Sequence, residues 1–451
     1  MIKKLFSPTC LTISILLLLY TIYKSEIYLD GNQRDYYFIY YLISGFLILF
    51  SIITFYLSEK VKTYSIITLT SIVFTLYAFE AYLTFTDYKR VAGEQLNKKI
   101  KLYKQQTGKD YDTRTRFEIY NDFKKKDKNI VVTVSPVHHF DSTSRIFPLS
   151  GISNSKTIHC NENGYYSIYK SDRYGFNNPD SEWNQQDIEY LLVGDSFTQA
   201  GCVNRPNDIG SVLRTLSKKT VLNLGYAGNG PLIEYAVLRE YLKPKVKNIL
   251  WLFCEGNDIG NLNRELKSEI LIKYLKDLKF TQNLKFRQKQ IDEIVLQVTG
   301  RYWEREKERE KERERINSFT FKLLKFVKIY NFRKKFLIKQ PRPQIKELLK
   351  LAKDLAVKNN SNFYFVYLPE YSRYKFSHDN ISYLSVKTTV EELNIPFIDI
   401  HKEVFLKESN PLKLFPFEMS AHYNIVSHRA IHFNIEGYRK VAEAIHKFIS
   451  K

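Results

Sequence analysis

Leu191-Leu192-Val193-Gly194-Asp195-Ser196-Phe197-Thr198 is the stretch that decides the fold. Its apolar start, 190–193, reads as a buried strand. The strand stops at a Gly-Asp-Ser turn, and a helix is expected to follow. Glycine permits the sharp backbone turn. Ser196 then stands at the mouth of the sheet near a helix N-terminus, where N–H groups and the dipole favour negative charge. In a doubly wound sheet that is where ligands bind.

The flanking sequence alternates strand and helix patterns, as a parallel sheet with crossover helices requires. Candidate strands are 188–193, 220–224, 248–253, 362–368 and 397–400. The second runs into the glycine-rich loop Gly225-Tyr226-Ala227-Gly228-Asn229-Gly230. The third runs into Glu255-Gly256-Asn257-Asp258. Near the C-terminus His432-Phe433-Asn434-Ile435-Glu436-Gly437 opens an amphipathic helix over 436–448. A Gly-Asp-Ser turn, a loop glycine, a Gly-Asn-Asp turn and a late histidine, in that order, resemble the SGNH/GDSL family of serine esterases and acyltransferases. The resemblance covers about 186–451. It implies an α/β, flavodoxin-like fold with a parallel five-stranded sheet in the order 2-1-3-4-5.

The same resemblance assigns roles. Ser196 is the expected nucleophile and His432 its expected base, preferred over the nearby His422 and His428 for its context ahead of the helix. A serine hydroxyl is a weak nucleophile until a base takes its proton. The expected oxyanion donors are the Ser196 N–H, the Gly228 N–H and the Asn257 side-chain amide. Taken singly, Gly228 also reads as a helix-leading turn and Asn257 as a helix cap. Asp195 supports the turn in the family. One departure stands out: the family places Asp two or three residues before the histidine, and here Ala430 and Arg429 stand there. Three readings follow: a Ser-His dyad backed by a carbonyl, a distant acid such as Glu418 folding back, or lost activity.

Ahead of this domain lie three apolar stretches, 7–23, 36–57 and 65–85, near the ~20 residues that span a bilayer as a helix. No small-residue cleavage site follows the first, so a multi-pass anchor over 1–87 is expected rather than a signal peptide. Lys3 and Lys4 share a side with Lys60 and Lys62, and the positive-inside rule puts that side in the cytoplasm. Three crossings then leave the large domain outside the cell membrane. The basic run from Lys89-Arg90 to Lys101 argues the other way. Glu80, inside the third span, reads as reaching the interface from its outer end.

Residues 88–185 read as a connecting segment, helical in the second half of 108–127 and extended over 129–134. Its Asp172-Arg173-Tyr174-Gly175-Phe176-Asn177-Asn178-Pro179 run reads as a loop packing over the sheet edge, with lining of the substrate mouth the lesser reading. An insertion at about 260–340 carries the alternating charges of 304–315, a solvated helix held by i, i+3 pairs. Cys10 and Cys254 read as small buried hydrophobes. Cys160 and Cys202 flank the serine strand in polar loops. A disulfide in an oxidising compartment and two free thiols both fit, because pairing does not follow from spacing.

The net charge is +21, spread along the chain without a basic stripe and interleaved aromatics, so no nucleic-acid partner is expected. No Cys-x-x-Cys or His-Glu-x-x-His pattern points to a metal, and no cofactor is expected. The leading expectation is a membrane-anchored esterase or O-acyltransferase acting on a small acyl ester, such as acetyl on a cell-envelope glycan. Three spans are few for an acyl-donor channel, so transfer calls for a donor partner in the membrane. The alternative is an inactive subunit of the same fold that binds glycan or assists assembly, motivated by the missing Asp.

Overall fold

The computed structural model describes the chain except residues 1, 29–30, 32–33, 92–94, 141–143, 317–322, 324–325, 327–342, 376–380, 417–431 and 451. It divides into two compact units, Met1–Val91 with Glu314–Arg342, and Ala92–Arg313 with Pro343–Lys451.

The first unit is built on helices α1 (Ile2–Ile22), α2 (Arg34–Tyr56) and α3 (Glu59–Val91). Within and just beyond them, Lys4–Ile27, Tyr37–Tyr56 and Glu59–Leu83 are long and apolar enough to cross a membrane. Ser14 and Ser51 join α1 to α2 through a hydroxyl pair at 3.1 Å. Leu16, Phe46 and Phe74 are exposed. Water would penalise that surface, whereas lipid accepts it, so the unit is suited to membrane association. Two sequence readings change here. Glu80 is fully buried rather than reaching outward, and Cys10 is only half-buried.

The second unit begins with α4 (Gln95–Thr107) and α5 (Arg116–Lys124), the latter started by a Thr115–Glu118 capping box. Strands β1 (Ile130–Val132), β2 (Lys156–Ile158) and β3 (Ile168–Lys170) form a small sheet, β1 parallel and β3 antiparallel to β2. The 88–185 segment therefore has its own sheet, and from Ala92 it folds in one unit with the serine domain.

The main sheet follows. Its elements are β4 (Ile188–Gly194), α6 (Ser196–Gln199), α7 (Ile209–Ser217), β5 (Val221–Asn223), α8 (Pro231–Tyr241) and β6 (Val246–Cys254). Helices α9 (Asp258–Glu265), α10 (Glu269–Lys276), α11 (Gln288–Ile316) and α12 (Pro343–Lys358) precede β7 (Asn362–Leu368). Then come α13 (Tyr371–Lys375), α14 (Ile381–Glu392), β8 (Phe397–Asp399), α15 (Ile400–Glu403) and α16 (Ile435–Ile449). The five strands lie in the order β5-β4-β6-β7-β8, all parallel, which is the expected 2-1-3-4-5.

The strands read as continuous apolar runs because both faces are covered. Leu191, Val193, Ile249 and Trp251 face a core that includes Leu232, Val237 and Leu348 from α8 and α12. Tyr190, Leu192, Leu250 and Leu252 face another that includes Leu213 of α7 and Val441 and Ile445 of α16. On the edge strand β5, Asn178 accepts the Asn223 N–H at 2.8 Å and donates to the Asn223 carbonyl at 2.9 Å. The 172–179 run thus caps the sheet edge, as its packing reading expects. The first part of α11 buries Ile291, Val295 and Val298 in the core. The side chains of 304–315, Glu418, His422 and His428 lie outside the described residues.

Candidate active site

Strand β4 ends at Gly194, and Asp195 caps the short helix α6. One Asp195 oxygen accepts the Phe197 N–H at 2.9 Å, and the other accepts the Asn257 side-chain amide at 2.8 Å. Burial raises the Asp195 pKa, and these two donors offset part of that rise. Ser196 is left half-buried at the C-terminal end of the central strand.

His432 Nε2 lies 2.8 Å from Ser196 Oγ. The ring crosses Gly201, and a Cβ there would sit 2.1 Å from His432 Cδ2, so only glycine lets the imidazole lie this close. Phe197 packs beside the ring at 4.8 Å between centroids. Asn434 caps α16 by accepting the Gly437 N–H, which anchors the chain just after His432.

The acid comes from a direction the motifs did not indicate. Glu162 Oε1 lies 3.1 Å from His432 Nδ1, and Glu162 Oε2 accepts the His432 main-chain N–H at 2.9 Å. An ionised carboxylate has no proton to give, so Nδ1 carries the hydrogen and Nε2 faces the Ser196 hydroxyl as acceptor. Burial alone would lower the His432 pKa. The Glu162 charge and hydrogen bond, with the Asp195 charge, outweigh it and hold the imidazole above its ordinary 6.5. In place of the dyad reading, the histidine has a carboxylate partner, and it stands 270 residues upstream in the β2–β3 connection, while Glu418 lies outside the described residues.

That connection is tied down. Cys160 is disulfide-bonded to Cys202, six residues after Ser196. Asn163 donates to the Cys202 carbonyl at 2.9 Å. The Asn161 amide donates to the Asp112 carbonyl at 2.8 Å, and its oxygen accepts the Gly164 N–H. Among the described residues, Cys160, Cys202 and His432 bring their metal-ligating atoms together, but the two sulfurs are bonded to each other.

The expected oxyanion donors differ in how they are held. Gly228 has φ +86°, and the hydroxyl of Ser135 fills the place a side chain would take. Gln199 Oε1 accepts the neighbouring Ala227 N–H at 2.8 Å, pinning the loop to the helix that carries Ser196. Behind the loop, Glu265 accepts the N–H groups of Gly230 and Leu232 at the start of α8. Burial is the main cause that pushes the Glu265 pKa up, to about 7. Asn257 precedes α9 but makes no side-chain cap, so its amide is directed to Asp195 beside the serine instead. Asp258 closes that turn by accepting the Cys254 N–H at 2.7 Å.

All of these groups gather at the C-terminal ends of β4, β5 and β6, where an open parallel sheet binds ligands. A cleft of about 690 Å³ lined by Glu182, Arg214 and Lys245 lies at the opposite strand ends and touches none of them. The sequence motifs do not point to Ser135, Glu162 or Gln199. For Glu162 a signal existed: pairing Cys160 with Cys202 would have drawn the acid toward the serine turn.

A five-stranded parallel sheet with Ser196, His432 and Glu162 hydrogen-bonded in series at its C-terminal edge makes this an α/β protein with a serine-histidine-carboxylate site, in a chain that also carries helices suited to a membrane. Among solved structures, a putative lipolytic protein of the G-D-S-L family from Desulfitobacterium hafniense is 15% identical, with 58% of this chain and 99% of that one covered at a TM-score of 0.31. The acetyl xylan esterase AlAXEase is 14% identical, with 58% and 100% covered at a TM-score of 0.31. A catalytic mutant of an acetylxylan esterase from Geobacillus stearothermophilus is 14% identical, with 59% and 97% covered at a TM-score of 0.29. No family model and no curated protein matches the chain.

Proposed function

We propose that this chain is a membrane-anchored serine esterase or O-acyltransferase with its large domain outside the cytoplasm. Its proposed substrate is a small acyl ester of a cell-envelope glycan. The observation that carries the reading is the continuous array Glu162–His432–Ser196, at 3.1 Å and 2.8 Å. The alternative of an inactive subunit rests on a missing acid, and the placement of Glu162 against His432 favours the catalytic reading over it.

In the proposed reaction Ser196 Oγ attacks the ester carbonyl while His432 Nε2 takes its proton. Glu162 holds the tautomer and stabilises the imidazolium that forms. The oxyanion is met by the N–H groups of Ser196 and Gly228 and by the Asn257 amide. His432 then returns the proton to the leaving alcohol, giving an acyl-serine. Water entering along the same path completes hydrolysis, and an acceptor hydroxyl completes transfer. Transfer would need an acyl donor, for which a membrane partner is the proposed source. The Cys160–Cys202 disulfide, with the basic residues Lys3, Lys4, Lys60 and Lys62, supports the extracytoplasmic placement.

The test is labelling of the full chain with a fluorophosphonate probe, together with turnover of short-chain acyl esters. Wild type should label at Ser196. Ser196→Ala and His432→Ala should each abolish turnover, and the double variant should be little worse, because the two act as a unit. A folded wild type that neither labels nor turns over would return the reading to the inactive subunit.

A further inference from the structure

We propose that the Cys160–Cys202 disulfide is the positioning device of this site: it fastens the loop carrying Glu162 to the turn that follows Ser196, so the carboxylate engages His432 only in the oxidised chain. This rests on the reading of Ser196, His432 and Glu162 as a triad.

The bond joins two short arms. Cys160 lies two residues before Glu162, and Cys202 lies six after Ser196, with the two Cα atoms 4.9 Å apart. Cys202 Sγ is 3.8 Å from His432 Nδ1, the nitrogen Glu162 engages. The disulfide therefore borders the Glu162–His432 contact itself. It is not a staple placed elsewhere in the fold.

Beside Glu162 itself, few bonds cross the gap between the two loops. Most of what shapes the acid loop stays on its own side: the Ser167 N–H to Cys160 carbonyl bond, the Gly164 N–H to Asn161 bond, and the Asn161 bond to the Asp112 carbonyl. These bonds keep the loop folded whether or not it is tethered. To the chain after Ser196, the described bonds from within the acid loop are the disulfide and the Asn163 amide on the Cys202 carbonyl. The others come from β3, beyond the loop: the Ile168 N–H on Asn204 Oδ1, the Tyr169 hydroxyl accepting from Gln199 and the Lys170 carbonyl accepting from Arg205, each at 2.8 Å. Two thiols in contact stand further apart than two bonded sulfurs, so reduction must part the arms. A carboxylate displaced by about 1 Å loses its hold on the imidazole, and misplacement of that size costs ~10²-fold in rate.

The charged and titratable groups facing His432 are Glu162 from the acid loop, Asp195 from the turn after β4 and His159 just past β2. Only Glu162 is carried on the tethered loop beyond Cys160. Its withdrawal leaves Asp195 as the facing charge that raises the imidazole pKa. Cys202 is fully buried and Cys160 half-buried, so a small reductant has its approach from the Cys160 side. The redox step is thiol–disulfide exchange. A dithiol gives two electrons and two protons, the Cys160–Cys202 bond becomes two thiols, and the dithiol becomes a disulfide. The reverse, with a disulfide oxidant, forms the tether. A chain whose loop has not met such an oxidant carries its nucleophile and base without their acid, and its site stays latent.

The experiment uses the full chain purified in detergent micelles. Carbethoxylation of His432 by diethyl pyrocarbonate, followed against pH by peptide mass spectrometry, reads the imidazole pKa whether or not the protein is active. Oxidised wild type, protein reduced with dithiothreitol, Cys160→Ala/Cys202→Ala and Glu162→Gln are compared. Alkylation of both thiols verifies reduction. The expected result is that reduction lowers the His432 pKa to the Glu162→Gln value and lowers kcat on a short acyl ester by ~10²-fold, with KM little changed. Oxidised glutathione should restore both, and reduction of Glu162→Gln should cost nothing further. Where the double cysteine variant does not fold, the reduced wild type is the measurement. A His432 pKa and kcat unmoved by verified reduction would overturn the proposal. So would global loss of circular dichroism on reduction, which would make the bond a general staple. Oxidised protein without turnover, whose His432 pKa still responds to reduction, would sink the esterase reading and leave the tether standing. Turnover indifferent to reduction would do the opposite.

Discussion

Glu162 holds His432 through two separate donors, the main-chain N–H at 2.9 Å and the ring Nδ1 at 3.1 Å. One carboxylate therefore sets both where the histidine's backbone lies and which way its imidazole faces. The Asn434 cap anchors the chain on the C-terminal side of His432, and the Glu162 bond to the main-chain N–H holds it at His432 itself.

Glu162→Gln should lower kcat roughly 10³–10⁴-fold, since an amide can offer Nδ1 a donor and favour the wrong tautomer. The fold should survive, because Glu162 lies in a loop outside both cores. Turnover and melting temperature on the same preparation check this. Near-normal turnover would remove Glu162 from the site.

The pH profile should carry the same signature. His432 must be neutral to take the Ser196 proton, so activity falls as pH drops through its pKa. That pKa is held above 6.5, so the acid limb of kcat/KM should have its midpoint above 6.5. Removing the Glu162 charge should move the limb to lower pH even as the plateau falls. Stability follows with its own sign. A folded-state pKa above the unfolded value contributes stability that is fully present below about 6.5 and is lost as pH rises through the folded pKa. The melting-temperature penalty of Glu162→Gln should therefore be larger in mildly acidic buffer than in alkaline buffer.

Gly201→Ala should act on the base without touching a reacting group. The added methyl would meet the His432 ring at 2.1–2.5 Å, and the ring cannot retreat without losing Glu162 or Ser196. A loss of ~10²-fold in kcat is expected. Unchanged kcat would show that the ring does not rest on this glycine.

Asn257→Ala should lower turnover roughly 10²–10³-fold with little change in substrate binding, as loss of one oxyanion donor does. Because the Asn257 side chain makes no cap on α9, the ~1 kcal/mol stability loss of a missing cap should be absent. Normal turnover with a lowered melting temperature would reverse that assignment.

A reporter active only outside the cytoplasm, fused after Lys451, should be active. The proposed topology puts Lys3, Lys4, Lys60 and Lys62 on the inner side and takes the three long apolar helices as crossings. An inactive reporter would invert the orientation, and with it the compartment proposed for the disulfide.

Much of this molecule is written locally. The run into Gly194-Asp195-Ser196 signals a buried strand and a turn because apolar burial and glycine geometry are properties of neighbouring residues. The five strands, their parallel order, the three long apolar helices and the Ser196–His432 pair follow from such signals and a family-like order of motifs. The acid does not. Glu162 stands in a loop with no periodicity, 34 residues before Ser196 and 270 before His432, and a carboxylate has no preferred spacing across such distances. Its role comes from the small β1–β3 sheet and the disulfide, which bring one polar loop to another. Asn257 shows the same division. Its place at the end of β6 is legible in the sequence, whereas only packing decides that its amide meets Asp195 rather than the helix it precedes. Backbone preference acts over a few residues, and side-chain partnership is settled by whatever the chain brings within 3 Å.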